Sequence, residues 1–427
     1  MRIPSTPVPP CGWNSYDSYG IYLTEAEALA NLEAFVAKLK PHGYEYFCID
    51  ACWYAEGDFL VDKTKRFMCI DEFGRFVESP KMFPSGLKFL ADKCHDHGVK
   101  FGIHIMRGLP AKAVELNTPI LGHPTARAQD IHDPQAGCCW CQYTAGIDMD
   151  KPGAQEYYDS VVERLAAIGV DFIKADNILE FPRDFEAVAK AIDKVSRPIL
   201  LSLSPGNEPN ERIWPRIAAA ANLVRITGDI WDLEAHVPLA FDRWAAWEHL
   251  GGPACWLDLD MLPFGAIQVH VPEDTDPARY PVLGCRRQSS LSRKGKLVMM
   301  TQRAMACSPL IFGGAVHLSN DADLALATDP EMLACNRNGD VGKRILWERH
   351  VDVRRCVSRR DPSHGWLGLF NRQSLMPLQL VLTPAELGFT GGFPETLYSI
   401  WDRQTLTPRA GGLELGIEGS GVVFIRY

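Results

Sequence analysis

The chain is 427 residues long, 46% hydrophobic and 23% charged, enough to bury the core of a large α/β domain with a smaller one beside it. A formal net charge of -9 argues against a phosphate-backbone partner, so nucleic acid is not an expected ligand. No stretch is apolar for the ~18 residues a membrane span requires, and Met1-Arg2-Ile3-Pro4-Ser5-Thr6-Pro7 lacks the apolar core of a signal peptide; no membrane partner and a cytoplasmic location are expected.

Short apolar runs read as strands at 8–14, 44–50, 99–105, 170–176, 198–204, 222–227, 254–260 and 308–313. Helical stretches lie between many of them: Glu25 to Leu39, Leu87 to His97, Gln155 to Ile168, Asp184 to Val195 and Lys296 to Cys307. This alternation fits a (β/α)8 barrel with long rim loops. A doubly wound nucleotide-binding sheet would need a glycine-rich turn after its first strand, and neither G-x-G-x-x-G nor a P-loop is present. Past Glu331 the texture changes. Trp366 to Asn371, Leu378 to Leu382, Thr396 to Trp401 and Gly421 to Tyr427 are short strand-like runs separated by Gly, Pro and Asp turns. The division expected is a barrel over 1–330 and a small antiparallel β domain over 331–427.

Thirteen cysteines imply no disulfide framework, because most, such as Cys48, Cys52, Cys94, Cys255 and Cys307, sit inside apolar runs where a thiol serves as a small hydrophobe. Cys138-Cys139-Trp140-Cys141, with His132 upstream, has no second cysteine pair after it and reads as a packed loop rather than a zinc site. Cys94-His95-Asp96-His97 reads as the polar end of a helix. No metal and no cofactor are expected.

Several of the strand runs end on polar residues. Asp50 closes the second strand, Lys174 and Asp176 the fourth, Arg225 with Asp229 the sixth, and Asp258 with Asp260 the seventh. A carboxylate at the end of a buried strand is costly unless function or a partner explains it. Repeated at one end of a parallel barrel, such carboxylates predict a single acidic pocket at the C-terminal rim. Side chains two apart on a strand share a face, so Lys174 and Asp176 point together, and a cation behind Asp176 would hold it ionised as a nucleophile requires. Arg225 could do the same for Asp229 or bind a substrate hydroxyl. Two carboxylates in different surroundings are the equipment of a retaining glycosidase.

At these residues the chain resembles glycoside hydrolase family 27, the α-galactosidase and α-N-acetylgalactosaminidase group. The resemblance rests on Gly12-Trp13-Asn14-Ser15, Ile49-Asp50-x-Cys52-Trp53, Phe83-Pro84-Ser85-Gly86, Leu90-Ala91-Asp92, His97 to Ile103, Gly169 to Asp176 and Trp256-x-Asp258-x-Asp260-Met261-Leu262, all in the family's order. It implies a (β/α)8 barrel followed by a β-sandwich, and a retaining exo-glycosidase acting on terminal α-linked galactosides. It implies the nucleophile at Asp176, the acid/base at Asp229 in an R-x-x-x-D motif with Arg225, and sugar contacts at Trp13, Asp50, Trp53, Lys174 and Asp260.

The departures bear on substrate. The family's second acid at the end of strand two is Ala51 here, and its Gly-Ile-Tyr strand end is Gly102-Ile103-His104, so His104 or Arg107 is expected to supply a replacement donor. The cysteine that often follows the nucleophile is Ile178, so the family's loop disulfide is missing. Ser204, in Leu201 to Gly206, stands near the family's glutamate that walls off the sugar 2-position, which would admit an N-acetyl group. The alternatives are therefore an α-N-acetylgalactosaminidase, a non-catalytic carbohydrate-binding relative, for which Ala51 argues, and a metal-dependent barrel enzyme. The expected partner is an α-galactoside oligosaccharide or glycoconjugate, and the sequence leaves association into a homo-oligomer open.

Overall fold

The computed structural model describes residues 3, 5–56, 67–138, 141–205, 212–269, 285–348, 350–373 and 375–427. Of the residues singled out above, Cys139, Trp140 and Gly206 lie outside this set.

The barrel is one eight-stranded parallel sheet of β1 (Cys11–Asn14), β2 (Tyr46–Ile49), β3 (Lys100–Met106), β4 (Phe172–Asp176), β5 (Leu200–Leu203), β6 (Leu223–Arg225), β7 (Trp256–Asp258) and β8 (Leu310–Phe312). Each strand lies within a run predicted from sequence. The order β7-β6-β5-β4-β3-β2-β1-β8 brings first and last strands together, Cys11 opposite Leu310, and a parallel bridge from Leu262 to Phe312 closes the ring.

Alternation along the strands sorts side chains between two compartments. Tyr46, Cys48, Phe172, Leu200 and Leu223 form their own cluster at the lower end of the barrel, whereas Trp13, Phe47, Ile49, Ile173 and Val224 join the core shared with the surrounding helices. This parity decides which polar residues later in each strand reach the rim pocket.

The helices begin and end where their caps dictate. In α1 (Glu25–Lys38), Thr24 and Glu27 form a reciprocal capping box, and Ala28, Leu32 and Phe35 bury one stripe. Next come α2 (Leu87–Asp96), α3 (Ala154–Ile168) and α4 (Pro182–Lys194), the last starting two residues before the predicted Asp184 because Pro182 fits a first-turn position. The predicted Lys296 to Cys307 is α5 (Arg293–Met305), started three residues earlier by Ser292, whose side chain accepts from Gly295 N. Among the described residues no helix is long and apolar enough to cross a membrane.

The expected boundary near residue 330 falls at the start of a further helix, Pro330–Asn336, and the antiparallel strands begin at Lys343. They are β9 (Lys343–Glu348), β10 (Val351–Val357), β11 (Gly365–Asn371), β12 (Leu378–Leu382), β13 (Leu397–Ser399), β14 (Gln404–Leu406), β15 (Leu413–Ile417) and β16 (Val422–Arg426). A six-stranded sheet, β9-β10-β11-β16-β13-β14, packs on the β12-β15 pair as a small sandwich. In β11, Leu367 and Leu369 face the sandwich while Trp366 and Phe370 face the barrel core. Phe370 meets Phe241 edge-on, ring centroids 4.9 Å apart.

Candidate active site

The C-terminal strand ends open into a cavity of about 450 Å³ whose lining includes Tyr16, Asp17, Asp50, Ala51, Tyr143, Lys174, Asp176, Pro205, Arg225, Asp229, Trp231, Asp260 and Met261.

The Gly-Trp-Asn-Ser run at the end of β1 is scaffolding for Asp50. A methyl on Gly12 would fall 2.5 Å from Tyr46 O, so only glycine lets β1 approach β2 this closely. Asn14 Nδ2 donates to Asp50 Oδ2 at 2.7 Å, and Ser15 Oγ accepts from Asp50 N at 2.9 Å. Lys174 Nζ adds a bond to the same Oδ2 at 2.8 Å, and Ala51 N donates to Oδ1. Burial raises the Asp50 pKa, but Lys174 above all, then His104 and these donors, outweigh it and leave the carboxyl well below its usual range. Burial works against the Lys174 charge, and the neighbouring acids, Asp50 first, restore it and push its pKa up.

Asp176 projects from the end of β4. Its Oδ1 accepts from Asn177 N at 2.7 Å, and its Oδ2 lies 3.2 Å from His104 Nε2. Burial raises its pKa, yet the hydrogen bond and electrostatic pull of His104, followed by Lys174 and Arg225, bring the carboxyl below its ordinary value. An ionised carboxylate only accepts, so Nε2 of His104 carries the proton in this pair.

Arg225 Nη1 links two acids, Asp229 Oδ1 at 2.8 Å and Asp260 Oδ1 at 3.1 Å. Asp260 is buried and also accepts from Ile230 N at 2.7 Å, whereas the Asp229 side chain is 63% exposed. Asp258 lies beneath them, accepting from Asp260 N at 2.9 Å, and burial reinforced by the Asp260 charge raises its pKa to about 6. Tyr16 and Trp231, centroids 6.2 Å apart and tilted, give the cavity an aromatic wall on which the apolar face of a sugar can rest.

The structure therefore brings Asp50, Lys174, Asp176, Arg225, Asp229 and Asp260 together at one cavity, and places four other predicted residues elsewhere. The Trp13 side chain has outward parity; it stacks on Phe47 at 4.4 Å and donates to Gly314 O. Trp53 is buried against the third strand, its Nε1 donating to His104 O. His104 supports Asp176 and does not line the cavity, and Arg107 is buried with its Nε donating to Asn177 O. Ser204 shares the inward parity of Ser202 and is buried inside the barrel, leaving Pro205 to meet the cavity. The direct partner of Lys174 is Asp50 rather than Asp176. Tyr16, Asp17, Tyr143 and Trp231 escaped sequence reasoning because they belong to rim segments, where strand parity gives no direction. For Tyr16 the one available signal is its place directly after Ser15.

A family model described as alpha galactosidase A matches residues 23–114. The chain is 25% identical over 383 residues to alpha-galactosidase A of Cellvibrio japonicus, covering 85% of this chain and 76% of that protein. It is 24% identical over 366 residues to mouse alpha-N-acetylgalactosaminidase, covering 82% and 71%. A structure of the family 27 β-L-arabinopyranosidase of Geobacillus stearothermophilus in complex with arabinose superposes with a TM-score of 0.87 and 31% identity, over 99% of this chain and 97% of the other. With near-complete coverage at that identity, and the barrel, sandwich and acidic rim cavity all in place, the chain belongs to glycoside hydrolase family 27.

Proposed function

We propose that this glycoside hydrolase cleaves terminal α-D-galactosides, and with them the β-L-arabinopyranosides that present the same ring without its hydroxymethyl arm, with Asp176 as nucleophile and Asp229 as acid/base. The observation that carries the assignment is the contrast between the two carboxyls. Asp176 is held ionised beside His104, and Asp229 stands exposed at the cavity edge on Arg225.

In the first half-reaction an Asp176 oxygen bonds to the anomeric carbon as the bond to the aglycone oxygen breaks, and Asp229 delivers the proton that oxygen needs. In the second, Asp229 takes a proton from water, the water oxygen bonds to the anomeric carbon, and Asp176 leaves. Two displacements give net retention. Asp50, Lys174, Arg225 and Asp260 supply fixed charges for the ring hydroxyls, and their mutual bonds hold them in place before substrate arrives.

Ala51 bears on the choice between the two sugars. It lines the cavity where the family resemblance implies a second hydroxyl-binding acid, which weakens the hold on galactose and favours a sugar with fewer polar arms. That agrees with the activity named for the Geobacillus relative. Pro205, rather than an acidic side chain, at the fifth strand end supports a second reading in which a 2-acetamido sugar is also accepted.

The test is a panel of 4-nitrophenyl glycosides: α-galactoside, β-L-arabinopyranoside, α-N-acetylgalactosaminide and α-glucoside. Cleavage of the first two, with mass spectrometry locating a glycosyl ester on Asp176 in the Asp229→Ala variant, is expected. Preference for the glucoside, or an adduct on another residue, would overturn the proposal.

A further inference from the structure

Asp17 has a place in the cavity that the reaction outlined above does not use. It sits in the single helical turn Tyr16–Tyr19 that follows β1, and its backbone C=O accepts from both Gln268 N and Gln268 Nε2. The residue is only 2% exposed yet lines the cavity, and its Oδ2 is buried with no hydrogen-bond partner among the described residues. That oxygen fills the space where a side chain on Gly313, just past β8, would stand, so the carboxyl is seated by the fold rather than left loose.

The charged groups that act on it are Asp260, Asp229 and Asp50 on one side of the balance and Lys174 on the other, with Arg303 also within electrostatic reach. Burial first, then the three acids, raise its pKa well above the usual carboxylate range, so the group is a neutral carboxylic acid at physiological pH. Unlike its ionised neighbours, which only accept, such a group carries an O–H donor. A buried polar group left unpaired is costly, and in a cavity that otherwise offers mainly acceptors a neutral donor complements a hydroxyl oxygen.

We propose that Asp17 is a substrate-binding residue of this enzyme, donating a hydrogen bond to a ring hydroxyl of the bound glycone from the wall it shares with Tyr16 and Asp260. The assignment rests on the reading that the cavity holds a galacto-configured pyranose. It adds a specificity contact that discriminates against a deoxy sugar lacking that hydroxyl.

The experiment compares Asp17→Asn, Asp17→Ala and Asp17→Leu with the wild type, on whichever panel glycoside the wild type cleaves best. Measured values are kcat, KM, inhibition by free L-arabinose or D-galactose, and melting temperature. The amide of Asp17→Asn keeps an N–H donor at the same place and should stay within about threefold of wild type in KM and inhibition constant. Asp17→Ala and Asp17→Leu should each weaken both by about tenfold, the equivalent of one lost hydrogen bond, with a smaller change in kcat. Unchanged KM and inhibition constants in a folded Ala or Leu variant would overturn the proposal, as would an Asn variant as impaired as the other two. If Ala fails to fold, the nearly isosteric Leu variant carries the comparison, and if both fail, the Asn variant alone decides. Wild-type turnover judges the substrate reading and the variant ratios judge Asp17, so the two fail separately.

Discussion

Lys174 of the fourth strand donates to Asp50 of the second across the intervening third strand, Nζ to Oδ2 at 2.8 Å. Both groups are largely buried, with side chains 14% and 3% exposed, so each is the other's main compensation for lost hydration. Lys174→Met should destabilise the protein by about 3 kcal/mol at pH 7, since a buried acid loses its cation. Asp50 has a native pKa below its unfolded value, so this stabilisation is fully present above about pH 4 and is lost as pH falls through the native value. Urea unfolding of wild type and variant should therefore differ most at neutral pH and converge in strong acid. A difference that grows on acidification would show that the pair does not set the Asp50 charge.

Asp176→Ala should abolish turnover while leaving the melting temperature near wild type, because no neighbouring group can form the glycosyl ester. Azide should partly restore product formation by entering from the vacated face. Residual activity above about a hundredth of wild type without azide would remove Asp176 from the role of nucleophile.

Asp229→Asn should lose far more activity on a natural disaccharide than on an activated aryl glycoside, because a good leaving group needs little protonation. The basic limb of the kcat/KM profile should vanish with it. Equal losses on both substrates would point to a binding role for a residue that Arg225 holds at 2.8 Å.

His104 acts on the nucleophile from 3.2 Å and is the strongest influence lowering the Asp176 pKa against burial. In His104→Ala that carboxyl takes up its proton at higher pH, so the acidic limb of kcat/KM should move upward by roughly one pH unit. An unmoved limb, with activity simply lower throughout, would make His104 a packing residue.

Ala51→Asp should shift the ratio of kcat/KM toward the α-galactoside and away from the β-L-arabinopyranoside, because an acid restored at this cavity position offers the extra hydroxyl a partner. An equal change on both sugars would place position 51 against a hydroxyl the two share.

Much of this fold was legible from residue pattern alone. All eight barrel strands lie inside apolar runs read from the sequence, because a strand buried on both faces must be apolar almost throughout. The same exclusivity exposed the site: Asp50, Lys174, Asp176, Arg225 and Asp260 stood out as polar residues where burial makes polarity expensive. In the β domain, β9, β10, β14 and β15 went unread. Lys343–Glu348 is largely exposed and rich in charge, and Val351–Val357 carries Asp352, Arg354 and Arg355, whose partners come from other elements, so neither run shows an apolar period.

Partner choice was the part that only tertiary structure decided. Parity put Lys174 and Asp176 on one face, but barrel closure places Asp50 within reach of Lys174 and His104 beside Asp176. Trp13 and Ser204 were assigned to the sugar by motif. Their strand positions turn one toward the helices and the other into the barrel, and Tyr16 and Pro205 take the cavity wall. The physical reason is locality. Polarity in a buried strand is a property of one segment, while the distance between two charges depends on how separate segments close around a common axis.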